Sequence, residues 1–197
     1  PSTLTKLGES AFYGNKKLTS IVIPDKVTVV GSYTFKNCVS LTSVKLPENL
    51  LTIGESAFYG CTGIRELIVP AKTTRIKSYA FKNCTNLASV TLSEKLTAIE
   101  ESAFYATGLQ KLTIPAGVST IGSYAFKNCA NLASVELPAS LTKIQDSTFY
   151  GCAKLSALTI PDKVTEIGSY AFRKCTGLQS VSFPSSLRTI GESSFYG

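Results

Sequence analysis

The 197-residue chain contains no histidine, no tryptophan and no methionine, and only three aspartates, Asp25, Asp146 and Asp162. Without histidine there is no imidazole for a Ser-His-Asp or Cys-His arrangement, no imidazole metal ligand, and no side chain whose ordinary pKa lies near neutrality. The phosphate-cradling patterns G-x-x-x-x-G-K-[ST] and G-x-G-x-x-G do not occur. The adjacent carboxylates Glu100 and Glu101 fall in an expected turn and read as solvated surface rather than an acid–base pair. Enzymatic activity is therefore not expected, nor a cofactor or a catalytic metal. No apolar run approaches the roughly 20 residues of a membrane-spanning helix, so no membrane insertion is expected within these residues. The net charge is +7, from 20 Lys and Arg against 13 Asp and Glu, but no run of like charge exceeds two residues. A basic arm or tail is thus missing, and no nucleic-acid partner is expected.

What is present is a repeat. The stretch LTSVKLPENLLTIGESAFYGCTG at 41–63 recurs from end to end. Repeats begin at 18, 41, 64, 87, 109, 132, 155 and 178, with a period of 23 residues and one 22-residue block at 87–108. Partial repeats occupy 1–17 and 178–197. Self-similarity at this period means a solenoid, in which each coil buries its apolar edge only against its neighbours. Residues 1–197 are therefore expected to form one elongated domain of eight to nine coils. The chain begins at column 7 of a repeat and stops at column 20 of another, which reads as a piece of a longer array.

Numbered from the first Leu or Ile of each block, columns 1, 4 and 6 are apolar, as in Leu41, Val44 and Leu46. Columns 3 and 5 are mostly polar or small, so columns 2–6 alternate as a strand with columns 4 and 6 inward. Column 7 holds all eight prolines, Pro1 to Pro184, with Ser93 the one break. Proline cannot donate to a sheet ladder and ends the strand there. Columns 10 and 13 carry further aliphatics and predict a second buried edge in an extended segment with a turn or bulge. Column 14 is Gly in six of nine cases; Lys77, Glu100 and Gln145 take the others, so a left-handed requirement is not expected there. A helical turn is expected over columns 15–20. Column 18 is Phe in all nine repeats, from Phe12 to Phe195, which predicts a continuous aromatic spine.

The strand followed by xxLxxIGxxAFxxC resembles the BspA-like, or Treponema-type, leucine-rich repeats, and the resemblance covers the whole chain. Ser93, Thr73 at column 10, the column-14 substitutions and the short repeat 87–108, read as having lost its Cys position, depart from the pattern. The resemblance implies a right-handed leucine-rich repeat solenoid of short parallel β-strands with helical turns. It also implies an extracellular or cell-surface location, a protein or cell-surface ligand, a role in adhesion and host interaction, and no enzymatic activity.

A two-repeat period lies over the basic one. Odd blocks read GSYAFKNC and even blocks GESAFYGC. Tyr33, Tyr79, Tyr124 and Tyr170 hold column 16 of the odd blocks, and the other five tyrosines hold column 19 of the even ones. Lys36, Lys82, Lys127 and Arg173 take column 19 of the odd blocks. This alternation doubles the spacing between stacked cations. The Tyr and Lys rows read either as packing or as a stripe for an acidic ligand. The six cysteines, Cys38, Cys61, Cys84, Cys129, Cys152 and Cys175, all stand at column 21. Stacked Cβ vectors run parallel, so a ladder of free buried thiols is favoured over bridges or a metal site.

The outward strand positions are mostly small, as at Thr42, Ser43, Ala88 and Ser89. One region differs. Arg65, Glu66 and Ile68 lie on one strand, with Gln110 and Lys111 two coils on. An exposed Arg beside an exposed Ile is the type of anchor found at interface centres, so these five residues form the candidate protein-binding site. Two functions fit: a binding module of a surface or secreted protein, or a stiff spacer rod that displays another domain. Both terminal coils expose apolar columns, so end-to-end self-association is possible.

Overall fold

A computed structural model describes residues 3–197 as a parallel β-solenoid with two short strands in each coil. The first coils carry β1 (Ser20–Val22), β2 (Val29–Val30), β3 (Ser43–Lys45), β4 (Thr52–Ile53), β5 (Glu66–Ile68), β6 (Arg75–Ile76), β7 (Ser89–Thr91) and β8 (Ala98–Ile99). The later coils carry β9 (Lys111–Thr113), β10 (Thr120–Ile121), β11 (Ser134–Glu136), β12 (Lys143–Ile144), β13 (Ala157–Thr159), β14 (Glu166–Ile167), β15 (Ser180–Ser182) and β16 (Thr189–Ile190). Odd-numbered strands occupy columns 3–5 and even-numbered strands columns 12–13. The segment read as an extended edge with a bulge is thus a second ladder. Eight strands on each face are separated by seven coil-to-coil steps. The expected eight to nine coils therefore counted incomplete ends as coils.

Column 7 opens a tight turn between the two strands. Its carbonyl accepts the N–H of column 10, as in Val27 to Pro24 at 2.9 Å and Leu50 to Pro47 at 3.0 Å. Pro1 lies outside the described residues. Ser93 makes the same turn without the ring: its hydroxyl bonds the Ala71 carbonyl at 2.9 Å and accepts the Lys95 N–H at 3.1 Å. Thr73, the polar intruder among column-10 aliphatics, is fully buried and donates to the Leu50 carbonyl at 2.9 Å. Both departures from the repeat thus carry their own hydrogen bonds, as burial of a hydroxyl requires.

The helical turn expected over columns 15–20 does not form; among the described residues none is helical. The reason is backbone conformation. Column 16 is left-handed in every coil, whether Tyr33 (φ 56°) or Ser56 (φ 51°). Column 20 is left-handed too, at Asn37 (φ 62°) and Gly60 (φ 69°) alike. A left-handed residue every fourth position interrupts the right-handed path that an α-helix needs. N–H groups alternate instead. Those of columns 17, 19 and 21 close short turns within the coil, whereas those of columns 16, 18 and 20 cross to the next coil. Tyr33, Phe35 and Asn37 donate to the carbonyls of Glu55, Ala57 and Tyr59 at 2.8, 2.8 and 2.7 Å. The accepting peptides donate onward in the same direction, as Phe58 does to Ala80 at 2.8 Å. Three unbroken chains of peptide hydrogen bonds therefore run along the solenoid, all with N–H toward the C-terminal coil. Aligned peptide dipoles sum, so that end carries the positive pole.

Column 18 forms the expected spine. Its rings stack with centroids 5.1–5.6 Å apart, and Phe35 through Phe172 are buried. Beside it runs the thiol ladder, in which all six cysteines are free and buried. Each thiol donates to the phenylalanine carbonyl of the preceding coil, as Cys61 does to Phe35 at 3.0 Å. Burial pushes these thiols up, Cys84 to about 12 and Cys129 to about 11. The coil 87–108 has kept this column after all: Thr107 occupies it. Glycine at column 14 serves close approach rather than a special φ. A Cβ on Gly54 would lie 2.6 Å from the Val30 carbonyl oxygen and 2.7 Å from the Gly31 carbonyl carbon.

The two ladders differ in continuity. On the column-12 face, β2, β4, β6, β8 and β10 form one sheet and β12, β14 and β16 another. On the column-4 face the strands pair only in twos: β1 with β3, β5 with β7, β9 with β11, and β13 with β15. The steps β3/β5, β7/β9 and β11/β13 are seams. Column 6 marks them. Where the step is paired, column 6 is Ile23, Val69, Ile114 or Ile160, and its N–H donates to the next coil at 2.9–3.1 Å. Where the step is open, column 6 is Leu46, Leu92 or Leu137. β-Branched residues prefer extended backbone, so they hold the strand end in the plane of the ladder.

Candidate protein-binding face

The column-4 face presents its outward side chains from columns 3 and 5, and most strands show the exposed–buried–exposed pattern of a half-buried sheet. On β5, Glu66 and Ile68 point outward around buried Leu67, and Arg65 stands exposed just before the strand. Register places Glu66 beside Ser89 and Ile68 beside Thr91. Gln110 and Lys111 are exposed on the following coil, where the Gln110 N–H meets the Ala88 carbonyl at 3.2 Å. All five candidate residues therefore share one surface, with the small side chains of β7 between them.

Ile68 is 74 % exposed, as large an apolar exposure as this face offers, and Val22 is 70 % exposed two coils earlier. Lys45 stands between them, in register with Val22. The row Val22, Lys45, Ile68 was legible as three consecutive large members of column 5, of which the sequence reading took only Ile68. A cleft of about 760 Å³ lies on the near side of Ile68, between β3 and β5, lined also by Lys45, Glu48, Glu66 and Lys72. Arg65, Gln110 and Lys111 lie outside it.

The Tyr and Lys rows lie elsewhere on the coil and are engaged within themselves. Each odd-block cation sits over at least two rings, and Lys36 over three, those of Tyr13, Tyr33 and Tyr59. Lys82 Nζ lies 5.3 Å from the Tyr79 ring centroid and 4.5 Å from Tyr105, and Lys127 lies 5.2 Å from Tyr124 and 4.4 Å from Tyr150. Column-16 hydroxyls donate to column-15 carboxylates of the next coil: Tyr33 to Glu55 at 3.1 Å, Tyr79 to Glu101 at 2.9 Å and Tyr170 to Glu192 at 2.8 Å. These hydrogen bonds raise the three phenol pKa values above the ordinary tyrosine value. Asp146 is one methylene too short for the same bond with Tyr124 and accepts the Ser169 N–H at 2.8 Å instead. Glu100 and Glu101 face different partners. Glu100 pairs with Arg75 at 3.3 Å, and Glu101 accepts from Tyr79.

A family model described as the BspA-type leucine-rich repeat region matches residues 5–129 and 97–197. The chain belongs to that family. Solved structures agree. The chain is similar to a leucine-rich repeat protein from Bacteroides ovatus, at 30% identity and a TM-score of 0.72 over 97% of this chain and 46% of that one. It is similar to the leucine-rich repeat protein of T. pallidum, at 33% identity and a TM-score of 0.78 over 83% of this chain and 79% of that one. A leucine-rich cell surface protein from Faecalibacterium prausnitzii matches at 28% identity and a TM-score of 0.59, over 96% of this chain and 63% of that one. The chain thus spans about half of the Bacteroides protein and under two thirds of the Faecalibacterium protein. No curated protein sequence matches. Family and neighbours together make this a BspA-type leucine-rich repeat module. Among the described residues no helix is long and apolar enough to cross a membrane.

Proposed function

We propose that the chain is the non-enzymatic binding module of a secreted or cell-surface adhesin, and that a protein or cell-surface ligand sits on the column-4 face around Ile68. Arg65 and Glu66 flank that anchor, and Gln110 and Lys111 bound the low floor two coils on. The observation that carries this reading is the contrast between faces. Among the described residues, Arg65, Glu66, Gln110 and Lys111 make no side-chain hydrogen bond or ion pair and Ile68 is 74 % exposed, whereas the tyrosines and lysines of the other rows are packed on one another. An anchor of this kind gains most from burial under a partner. The test measures binding of the fluorescently labelled chain to cultured epithelial cells. Arg65→Ser with Ile68→Thr should abolish it, and Lys36→Ser with Lys82→Ser should leave it. The reverse result moves the site to the Tyr and Lys rows. Equal failure of the wild-type chain and both variants to bind favours the spacer reading.

Head-to-tail self-association of this chain is proposed as well. The first described coil turns the Glu9, Ala11 and Tyr13 carbonyls outward and the last turns the Ser193, Phe195 and Gly197 N–H groups outward, and none of the six bonds another coil among the described residues. The two sets complement one another, and Phe195 is only partly covered. Sedimentation at rising concentration should show a ladder of oligomers; a single monomeric species at millimolar protein ends the proposal.

A further inference from the structure

We propose that the cleft between β3 and β5 binds an extended peptide, which enters as the strand that these two edges lack. The inference rests on the strand face being a protein-binding surface, and it names the place on that face and the backbone shape of the partner.

Three observations carry it. The first is hydrogen bonding. In a parallel pair, alternate residues turn both N–H and C=O to the same side. Ser43 and Lys45 bond toward the preceding coil, with Ser43 N–H on the Thr19 carbonyl at 3.2 Å and the Lys45 carbonyl on Ile23 N–H at 3.0 Å. Arg65 and Val69 bond toward the following one, to Ala88 and Thr91 at 2.8 and 2.9 Å. Parity then aims Val44 and Leu46 from one lip, and Glu66 and Ile68 from the other, into the cleft. Among the described residues, no bond joins Glu66 N–H to the Thr42 carbonyl or Leu46 N–H to the Ile68 carbonyl. Backbone groups of this kind require partners, and in the free chain water serves.

The second observation is that this seam is more open than the other two. At β7/β9 the Gln110 N–H still meets the Ala88 carbonyl at 3.2 Å, and at β11/β13 the Ser156 N–H meets Ala133 at 3.4 Å. Neither kind of bond remains at β3/β5. The third is that the opening is one-sided. Behind it β4 and β6 are paired, with Thr52 opposite Arg75 and Ile53 opposite Ile76, and Phe58 stacks on Phe81 at 5.5 Å. The coils therefore hinge apart as a wedge toward solvent, on the face that carries Ile68.

An extended peptide presents N–H and C=O groups at the same repeat as these lips and gains main-chain bonds by strand addition. The side chains define it further. Lys45 and Glu48 on one lip and Glu66 and Lys72 on the other carry no net charge, so the occupant is an uncharged segment. Its outward aliphatic residue packs on Ile68.

The experiment selects twelve-residue peptides from a random display library against the whole chain and follows backbone amide exchange with a selected peptide present. At a hundredfold excess over Kd, exchange at Leu46 and Glu66 should slow by about 100-fold, with the amides of β13 unaffected. Ile68→Thr should weaken the peptide. Glu66→Pro, which removes one cleft N–H from an edge that tolerates proline, should weaken it more. Peptides that protect the β7–β9 floor instead overturn the cleft while supporting a binding role for the strand face. A library that yields no binder overturns the cleft too, and the epithelial-cell assay then decides the broader reading separately.

Discussion

Thr107 donates its hydroxyl to the Phe104 carbonyl at 3.0 Å and lies 3.1 Å from the Cys129 sulfur, in the place that a cysteine holds in other coils. The 22-residue coil therefore lost a residue from the following turn and keeps a hydroxyl donor in the column. That donor turns to Phe104 of its own coil rather than to the Phe81 carbonyl of the preceding coil, the direction that the cysteines take. Thr107→Val removes that donor without changing volume and should destabilise the chain by about 1 kcal/mol. Thr107→Cys should restore most of it. Urea midpoints at a constant m-value are the measurement.

The aromatic spine should respond by position. Phe104 is fully buried between Phe81 and Phe126, at 5.2 and 5.6 Å. Phe195 has one stacked neighbour, Phe172 at 5.1 Å, and the edge of Phe183 at 5.8 Å. Phe104→Ala should cost about 3–5 kcal/mol, and Phe195→Ala clearly less because part of its surface is already wet. Equal losses in chemical denaturation would show that stacking between coils is not what holds the array.

Much of this architecture was legible because each column repeats one physical demand. Apolar columns 1, 4 and 6, the proline stop and the phenylalanine spine all read directly. The turn at columns 15–20 did not, because tyrosine seldom takes a positive φ and so gave no warning at column 16. A signal did exist at column 20, where Gly14, Asn37, Gly60 and Asn83 alternate the two residue types that best tolerate the left-handed region. At the candidate face, Arg65 and Gln110 are exposed because they precede their strands, whereas the exposure of Glu66, Ile68 and Lys111 followed from strand alternation. The cleft did not, since it depends on which neighbouring strands pair, and that rests on Leu against Ile or Val at column 6.

The thiols make stability depend on alkaline pH. Their folded pKa values are raised, Cys84 from 9.0 to about 12 and Cys175 to about 11, with burial the largest cause. The folded chain therefore holds these protons more tightly than the unfolded one. Their stabilising contribution is complete below about pH 9 and is lost as pH rises through the folded values. Melting temperature should be level from pH 7 to 9 and fall progressively above it, with Tyr33, Tyr79 and Tyr170 adding in the same direction. A thiol reagent at pH 8 should label none of the six cysteines before unfolding and all six afterwards. Label incorporated by the folded chain would place a thiol outside the ladder.

The seams should exchange first. Leu46, Leu92 and Leu137 lack the cross-coil acceptor that Ile23, Val69, Ile114 and Ile160 have at the same column. An amide held by a sheet ladder exchanges only when that ladder opens, whereas an amide facing a cleft exchanges through bound water. Deuterium uptake should therefore alternate along the chain, fast at the three leucines and slow at the internal members of the second set. Leu46 should be fastest, because its seam also lacks the column-2 bond that Gln110 and Ser156 keep at the others. Replacing Leu46 with Ile tests the cause. If a β-branched residue holds the strand end in plane, Leu46→Ile should slow exchange at residue 46 toward the rate of Val69. Unchanged exchange would show that the neighbouring coil, not column 6, sets the opening. Uniform protection across all seven positions would remove the two-coil unit itself.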